Sequence, residues 1–161
     1  MTLDTLAEQV GRRLAEARAV LVTAESCTGG WVAQAVTAVS GSSGWFERGY
    51  VTYSNDAKQE LLGVRGETLA RHGAVSEETA REMALGALAR SKGTLCAAVT
   101  GVAGPTGGTM EKPVGMVCFA WARSDGALRS ETQRFQGDRE SVRKQSVIRA
   151  LRGVLEFLDA G

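Results

Sequence analysis

The first candidate catalytic residues lie in the segment Ala24–Gly30 (AESCTGG). In this segment an apolar stretch ends and a helical pattern begins. In open α/β sheets, ligands bind beyond the carboxyl ends of strands, so the hydroxyl of Ser26 could attack a carbonyl group there. Backbone N–H groups from Thr28 to Gly30 could then hold the oxyanion, and Gly29 and Gly30 leave room for a close approach. A helix cap is the simpler use of Ser26 or Thr28 taken singly.

A serine hydroxyl is a weak nucleophile until a base takes its proton, so a base must be found elsewhere in the chain. The single histidine, His72, lies in a polar stretch and is expected at the surface. Lys58, in the segment YSNDAK, falls just after a predicted strand and inside the first turn of a predicted helix. Burial and the helix dipole both disfavour the charged ammonium there and lower the pKa of a lysine toward the range of a general base. An ordinary solvated lysine is the alternative.

Three further residues stand near these candidates in the sequence. Tyr53, shortly before Lys58, could donate a hydrogen bond or relay a proton, although a strand aromatic more commonly packs in the core or at an edge. Glu25 could orient Lys58 or a substrate amide, or face solvent. Cys27 is an alternative nucleophile, but no histidine accompanies it to form the thiolate pair that cysteine hydrolases use. Serine is therefore the preferred nucleophile.

After AESCTGG and YSNDAK, the third candidate segment is the glycine-rich stretch Gly101–Gly115, which follows a predicted buried strand. Its backbone N–H groups and threonine hydroxyls favour an anion site, because such loops form nests of N–H groups. The candidate binding residues there are Gly104, Thr106, Gly107 and Gly108. The stretch fits neither the Walker A nor the dinucleotide-binding pattern, so a plain connecting loop is the alternative. Arg139, at the start of the last predicted helix, could bind a phosphate or carboxylate through two hydrogen bonds, or simply face solvent.

The counts of cysteine and histidine exclude several kinds of site. The chain has three cysteines, Cys27, Cys96 and Cys118, with no C-x-x-C pair, and one histidine. A zinc ribbon, a thioredoxin-type motif and a histidine-based metal cluster are therefore excluded. Cys96 and Cys118 lie inside apolar runs and are expected to be buried. The sequence predicts neither a metal nor a cofactor.

The elements that must position these residues alternate between helix and strand. Apolar spacing predicts an amphipathic helix from Leu3 to Leu14 and a long last helix capped by Asp138. Strands are predicted at 19–24, 48–54 and 94–101, and other helices at 31–39, from Asn55 or Asp56 to Leu62, and after a cap at Ser76. Residues 124–126 have the sequence of a hairpin turn and connect two predicted strands, the first apolar and the second polar. The polar strand is expected at the edge of the sheet. The predicted fold is α/β: a single three-layer α/β/α domain over residues 1–161, with a mixed β-sheet that includes a C-terminal hairpin.

Composition narrows the function classes. The 161 residues include 19 Lys and Arg against 18 Asp and Glu, which gives a net charge of +1, and 43% of them are hydrophobic. Balanced charge argues against a nucleic-acid partner, which needs a basic face, and no apolar run approaches the ~20 residues of a membrane helix. The N-terminus also lacks the apolar core of a signal peptide. We therefore expect a soluble cytoplasmic protein with a small-molecule substrate, and the apolar helices and edge strand favour a homo-oligomer.

Five motifs taken together give the chain a resemblance to a known family. They are AESCTGG, GSSGWFERGYVTYSNDAK, HGAVS, TGVAGPTGGTMEKPVG and GDRESVR, and they follow one another in this order. In this combination they resemble the CinA C-terminal domain family over nearly the whole chain, and in particular the members of that family that stand alone. Each motif by itself is a weak signal, whereas the set is specific.

This resemblance implies hydrolysis of the carboxamide of nicotinamide mononucleotide (NMN) to nicotinate mononucleotide and ammonia, in the recycling of NAD. It implies a metal-free serine–lysine mechanism with Ser26 as nucleophile, Lys58 as base and Tyr53 as supporting tyrosine. The loop Gly104–Gly108 and Arg139 fall on substrate-facing positions. Two other functions stay open: a family module that binds nucleotides without turning them over, and an amidase that uses Cys27.

Overall fold

The computed structural model describes residues 2–160 of the chain. Within these residues the helices are α1 (Leu3–Ala17), α2 (Trp31–Thr37), α3 (Asn55–Leu62), α4 (Gly66–His72), α5 (Glu77–Ala89) and α6 (Arg139–Asp159), with a short 3-10 turn at Ser42–Gly44. The strands are β1 (Leu21–Glu25), β2 (Phe46–Val51), β3 (Leu95–Gly101), β4 (Met116–Arg123) and β5 (Leu128–Arg134). One helix precedes β1, one helix and the 3-10 turn lie between β1 and β2, three helices lie between β2 and β3, and the predicted hairpin follows β3.

The five strands form one mixed sheet in the order β2-β1-β3-β4-β5. Strand β1 pairs in parallel with both β2 and β3. Strand β4 runs antiparallel to β3 and to β5, which makes the predicted C-terminal hairpin. Because β1, β2 and β3 are parallel, their carboxyl ends meet at the same edge of the sheet, and the segments that follow these three strands converge there.

Helices cover both faces of the sheet, so the domain has three layers. On one face, buried residues of α1, α2 and α6, such as Val10, Val36 and Leu151, share a core with Trp121 of β4. On the other face, α3 and α5 pack on the small residues of β1, β3 and β4. Strand β1 is buried along its whole length because it lies between the two helical layers. The predicted α/β/α architecture with a mixed sheet is confirmed.

Local capping signals fix several helix starts. The side chains of Ser76 and Asp138 accept hydrogen bonds from the N–H groups of Thr79 and Ser141, which confirms both predicted caps. The prediction of Asn55 or Asp56 as the cap of α3 is wrong, because Ser54 occupies that position and its hydroxyl accepts the N–H of Ala57.

Helix α4 was not predicted, and His72 is its last residue rather than part of a loop. The helix has no side-chain cap of its own. Instead, the Glu82 carboxylate of α5 accepts hydrogen bonds from the Arg65 N–H and the Thr68 hydroxyl. The start of α4 therefore depends on Glu82, which is distant in sequence. A local sequence pattern does not reveal such a contact. Among residues 2–160, none of the helices combines the length and apolar character needed to cross a membrane.

Candidate active site

A tight turn links β1 to α2 and carries Ser26 at its first position. The Ser26 N–H donates to the Val99 carbonyl of β3 (3.0 Å), and the Ser26 carbonyl accepts the N–H of Gly29 (3.0 Å). Gly29 and Gly30 have φ values of 59° and 99°, the left-handed region that glycine adopts without strain. The sequence AESCTGG thus places Ser26 immediately beyond β1, with its backbone held by the neighbouring strand.

Lys58 lies in the first turn of α3, the helix that follows β2, and its side chain contacts Ser26. Its Nζ donates to Ser26 Oγ (2.9 Å), to the Thr52 carbonyl (2.9 Å) and, more weakly, to the Tyr53 carbonyl (3.4 Å). The lysine is 1% exposed and Ser26 is 8% exposed. All three partners are neutral oxygens, so no carboxylate compensates the buried charge. Burial therefore lowers the pKa of Lys58 from its ordinary value, which favours the neutral amine that a general base requires.

A cleft of about 240 Å³ opens onto this pair. Besides Ser26 and Lys58, its walls include Val75, Thr100, Tyr53 and Arg139. The cleft lies at the carboxyl edge of the parallel strands, where an α/β protein is expected to bind its ligand. A larger groove of about 710 Å³ lies between α1 and α2. That groove does not include Ser26 or Lys58, so the smaller cleft is the candidate site.

Tyr53 and Arg139 stand together at the rim of the cleft. The Tyr53 side chain is 64% exposed, and its hydroxyl accepts a hydrogen bond from an Arg139 terminal nitrogen (3.3 Å). The other terminal nitrogen of Arg139 donates to the Gly104 carbonyl (2.8 Å). The structure thus brings together Tyr53, Arg139 and Gly104, three candidate residues that are far apart in the sequence. The hydroxyl of Tyr53 contacts Arg139 rather than Ser26 or Lys58.

Glu25 and the Thr28 hydroxyl make structural contacts at the start of α2, and a contact of either residue with substrate stays a prediction. Glu25 is 1% exposed, and its carboxylate accepts the N–H groups of Val32 (2.9 Å) and Ala33 (3.0 Å) and the hydroxyl of Thr28 (2.5 Å). These N–H groups belong to the first turn of α2, whose cap residue, Gly30, has no side chain. Glu25 therefore replaces the missing cap, and neither Ser26 nor Thr28 caps the helix. Glu25 makes no hydrogen bond to Lys58 in the described residues.

The N–H of Gly29 is also removed from the expected set of oxyanion donors, because it already donates to the Ser26 carbonyl. In the glycine-rich segment, Gly101 and Ala103 line the cleft and Gly104 touches its rim. The residues Thr106, Gly107 and Gly108 lie beyond the cleft lining. A contact of these three residues with substrate stays a prediction.

Two residues of the site were missed from the sequence. The Thr100 hydroxyl, in the cleft wall, donates to the Ala74 carbonyl (2.9 Å) and ties β3 to the connection between α4 and α5. Arg143 donates to the carbonyls of Cys27 (3.0 Å) and Thr28 (3.2 Å). The signal for Arg143 was available, because a residue four positions after Arg139 lies on the same side of a helix.

Cys27, the alternative nucleophile, and His72 lack the surroundings that a catalytic residue needs. Burial raises the pKa of Cys27 to about 12, so its thiol stays protonated near neutral pH. His72 lies outside the cleft lining, with Nδ1 at 3.5 Å from a Glu78 carboxylate oxygen. Cys96 and Cys118 are fully buried, as expected. In residues 2–160, no group of three or more His, Cys, Asp or Glu side chains is arranged to hold a metal ion.

Fold and site together describe a mixed α/β protein with a buried serine–lysine pair at the carboxyl edge of its parallel strands. Residues 3–158 match the CinA C-terminal domain, and the chain belongs to this family.

Named relatives and a solved structure extend this finding. The chain is 53% identical over 149 residues to the nicotinamide-nucleotide amidohydrolase PncC of Escherichia coli K12, covering 92% of this chain and 90% of that protein. It is 51% identical over 156 residues to the protein of the same name from Pseudomonas putida, with 96% of each chain covered. The crystal structure of a CinA superfamily protein from Klebsiella pneumoniae matches with a TM-score of 0.96, at 39% identity and full coverage of both chains.

Proposed function

We propose that this protein hydrolyses the carboxamide of NMN to nicotinate mononucleotide and ammonia through a serine–lysine mechanism. The observation that carries the proposal is the 2.9 Å contact between the buried Lys58 Nζ and Ser26 Oγ in a cleft. The substrate comes from the relatives, two of which are named nicotinamide-nucleotide amidohydrolases at more than half identity. The pair supplies a nucleophile and a base, the two groups that acyl transfer from an amide needs.

In the first half-reaction, the neutral amine of Lys58 takes the proton of the Ser26 hydroxyl. Oγ bonds to the carboxamide carbon, and the carbonyl electron pair moves onto oxygen. The N–H of Thr28 has no acceptor in the described residues, which makes it the candidate donor to this oxyanion. When the tetrahedral intermediate collapses, the C–N bond breaks, the Lys58 ammonium gives its proton to the departing nitrogen, and ammonia leaves an ester on Ser26.

In the second half-reaction, water hydrolyses this ester. Lys58, again neutral, takes a proton from the water, whose oxygen bonds to the acyl carbon. Collapse of the second intermediate breaks the ester bond, and the lysine returns a proton to Ser26 Oγ. Since Tyr53 bonds to Arg139 in the free protein, we assign all four proton transfers to Lys58 and give Tyr53 a place in the substrate-binding rim.

The phosphate of NMN needs a cation near the mouth of the cleft. Arg139 lines the cleft at its rim, and its guanidinium group can bind phosphate oxygens in a bidentate manner. We therefore assign the phosphate to Arg139, with the pyridine ring directed inward toward Ser26. The reaction would return a nucleotide to NAD synthesis, and we place it in the cytoplasm.

The test measures ammonia released from NMN by the purified protein in excess EDTA, beside the Ser26→Ala variant. We expect release from the wild-type protein and only background from the variant. An active Ser26→Ala protein would exclude the serine mechanism. If NMN raises the melting temperature without ammonia release, the protein is a nucleotide-binding module. If NMN has neither effect, the substrate assignment is wrong.

A further inference from the structure

We propose that Arg143 is a positioning residue for this reaction, because it fixes the peptide unit whose N–H group binds the oxyanion. The inference rests on the proposed amide hydrolysis. It assigns a role to a residue that is not part of the cleft lining. Arg143 belongs to α6, one helical turn after Arg139. The two arginines therefore approach the site from the same helix but contact different parts of it.

The hydrogen bonds of Arg143 are all with the turn that carries Ser26. Its Nε donates to the Cys27 carbonyl (3.0 Å) and a terminal nitrogen donates to the Thr28 carbonyl (3.2 Å). The guanidinium carbon also lies 5.6 Å from the centre of the Trp31 ring, within the range of a cation–π contact. A planar guanidinium held by two carbonyls and an aromatic ring has little freedom, so it can act as a rigid support for the turn.

Peptide planarity connects this support to the reacting atoms. The Cys27 carbonyl and the Thr28 N–H belong to one planar trans unit and point in opposite directions. A hydrogen bond that fixes the carbonyl therefore also fixes the direction of the N–H. The positive charge further polarises the unit, which makes its N–H a better donor.

The Thr28 N–H belongs to the same tight turn as the nucleophile. Ser26 is the first residue of a turn closed by the Gly29 N–H. In such turns a serine at the first position can accept a hydrogen bond from the N–H two residues further on, which here is the N–H of Thr28. That N–H makes no hydrogen bond within residues 2–160, so it remains available to the oxyanion that forms beside Ser26 Oγ.

The experiment compares Arg143→Ala and Arg143→Lys with Arg152→Ala, a matched control on an exposed position of the same helix. For Arg143→Ala we expect kcat to fall on the order of 10²- to 10³-fold, the loss typical of an oxyanion donor, while the KM for NMN stays close to the wild-type value. Arg143→Lys, which keeps the charge but not the planar fork, should recover part of kcat. Added guanidinium ion should restore part of the activity of Arg143→Ala.

Several results would overturn the inference. A wild-type kcat in folded Arg143→Ala would show that the turn needs no such support. A rise in KM alone would show that Arg143 binds substrate. If Arg143→Ala does not fold, the Lys variant decides, because its melting temperature and kcat are measured together and an unchanged kcat excludes the role. Absence of ammonia release from the wild-type protein would instead remove the proposed function, and this inference with it.

Discussion

Lys58 reaches Ser26 across 32 residues of sequence, with Nζ at 2.9 Å from Oγ. The contact follows from parallel pairing, because Ser26 comes directly after β1 and Lys58 lies in the first turn after the neighbouring β2. The other two partners of the amine are backbone carbonyls, which satisfy its N–H groups without supplying a negative charge. The site therefore holds a lysine in surroundings that favour its neutral form.

Removal of either member of this pair should abolish turnover without damaging the fold. We expect Ser26→Ala and Lys58→Met each to lower kcat by at least about 10⁴-fold, since nucleophile and base act as a unit. Methionine fills a similar volume and removes the desolvated amine, so the melting temperature of Lys58→Met should match or exceed that of the wild type. Lys92→Met, at an exposed position, is the matched control and should keep full activity. A large loss of melting temperature in Lys58→Met would contradict this account.

The pH dependence of the reaction should report the lowered pKa of Lys58. Catalysis needs the neutral amine, so kcat/KM should rise with pH and level off above the pKa of Lys58, which lies below the ordinary lysine value of 10.5. Steady-state rates with NMN across the pH range measure this. A rise that continues to the ordinary lysine value would show that burial does not shift the group.

Stability should also rise with pH, but over the window above the folded pKa of Lys58, where kcat/KM has already levelled off. The unfolded lysine keeps its proton up to about pH 10.4, whereas the folded one releases it earlier because burial lowers its pKa. The unfolded state then binds more protons, so the free energy of unfolding rises with pH between the two values. Denaturant unfolding at several pH values tests this, and Lys58→Met should remove that part of the slope.

Local signals account for much of what the sequence predicted. The caps at Ser76 and Asp138, the hairpin and the strand–turn–helix around Ser26 each depend on residues close in sequence. Residue type also led to Lys58, but its distance from Ser26 depends on the pairing of β1 with β2, which no local pattern contains. Glu25 shows the opposite case. A carboxylate beside a nucleophile favours a catalytic interpretation, yet a glycine at the cap of α2 leaves N–H groups that need this carboxylate.

Cys27 should be dispensable for the reaction. Burial raises the pKa of its thiol to about 12, so the thiolate is scarce near neutral pH and Cys27→Ala should keep most of the wild-type kcat. Thiol alkylation of the native protein should be slow for the same reason. A loss of activity in Cys27→Ala as large as that in Ser26→Ala would favour the cysteine mechanism. Cys27→Ser then serves as a second test, since it retains the size of the side chain.

Glu25 should matter first for stability. In Glu25→Gln the amide cannot accept all three hydrogen bonds that the carboxylate receives from Thr28, Val32 and Ala33. A buried group left without its partner costs about 1–3 kcal/mol, so the free energy of unfolding should fall by that amount. Chemical denaturation measures it, with the exposed Glu60→Gln as control. An unchanged free energy of unfolding with a reduced kcat would instead give Glu25 a direct part in the chemistry.

Arg139 should distinguish substrates that carry a phosphate from those that lack one. Its guanidinium group stands at the rim of the cleft, and a hydrogen bond to a charged group contributes about 1.5–3 kcal/mol, which corresponds to roughly 10- to 100-fold in binding. We therefore expect Arg139→Ala to raise the KM for NMN by that factor, with a smaller change for nicotinamide riboside. Because Arg139 also bonds to Tyr53 and Gly104, Tyr53→Phe is the control for loss of the rim contact alone. Equal losses on both substrates would show that Arg139 supports the rim instead of binding the phosphate.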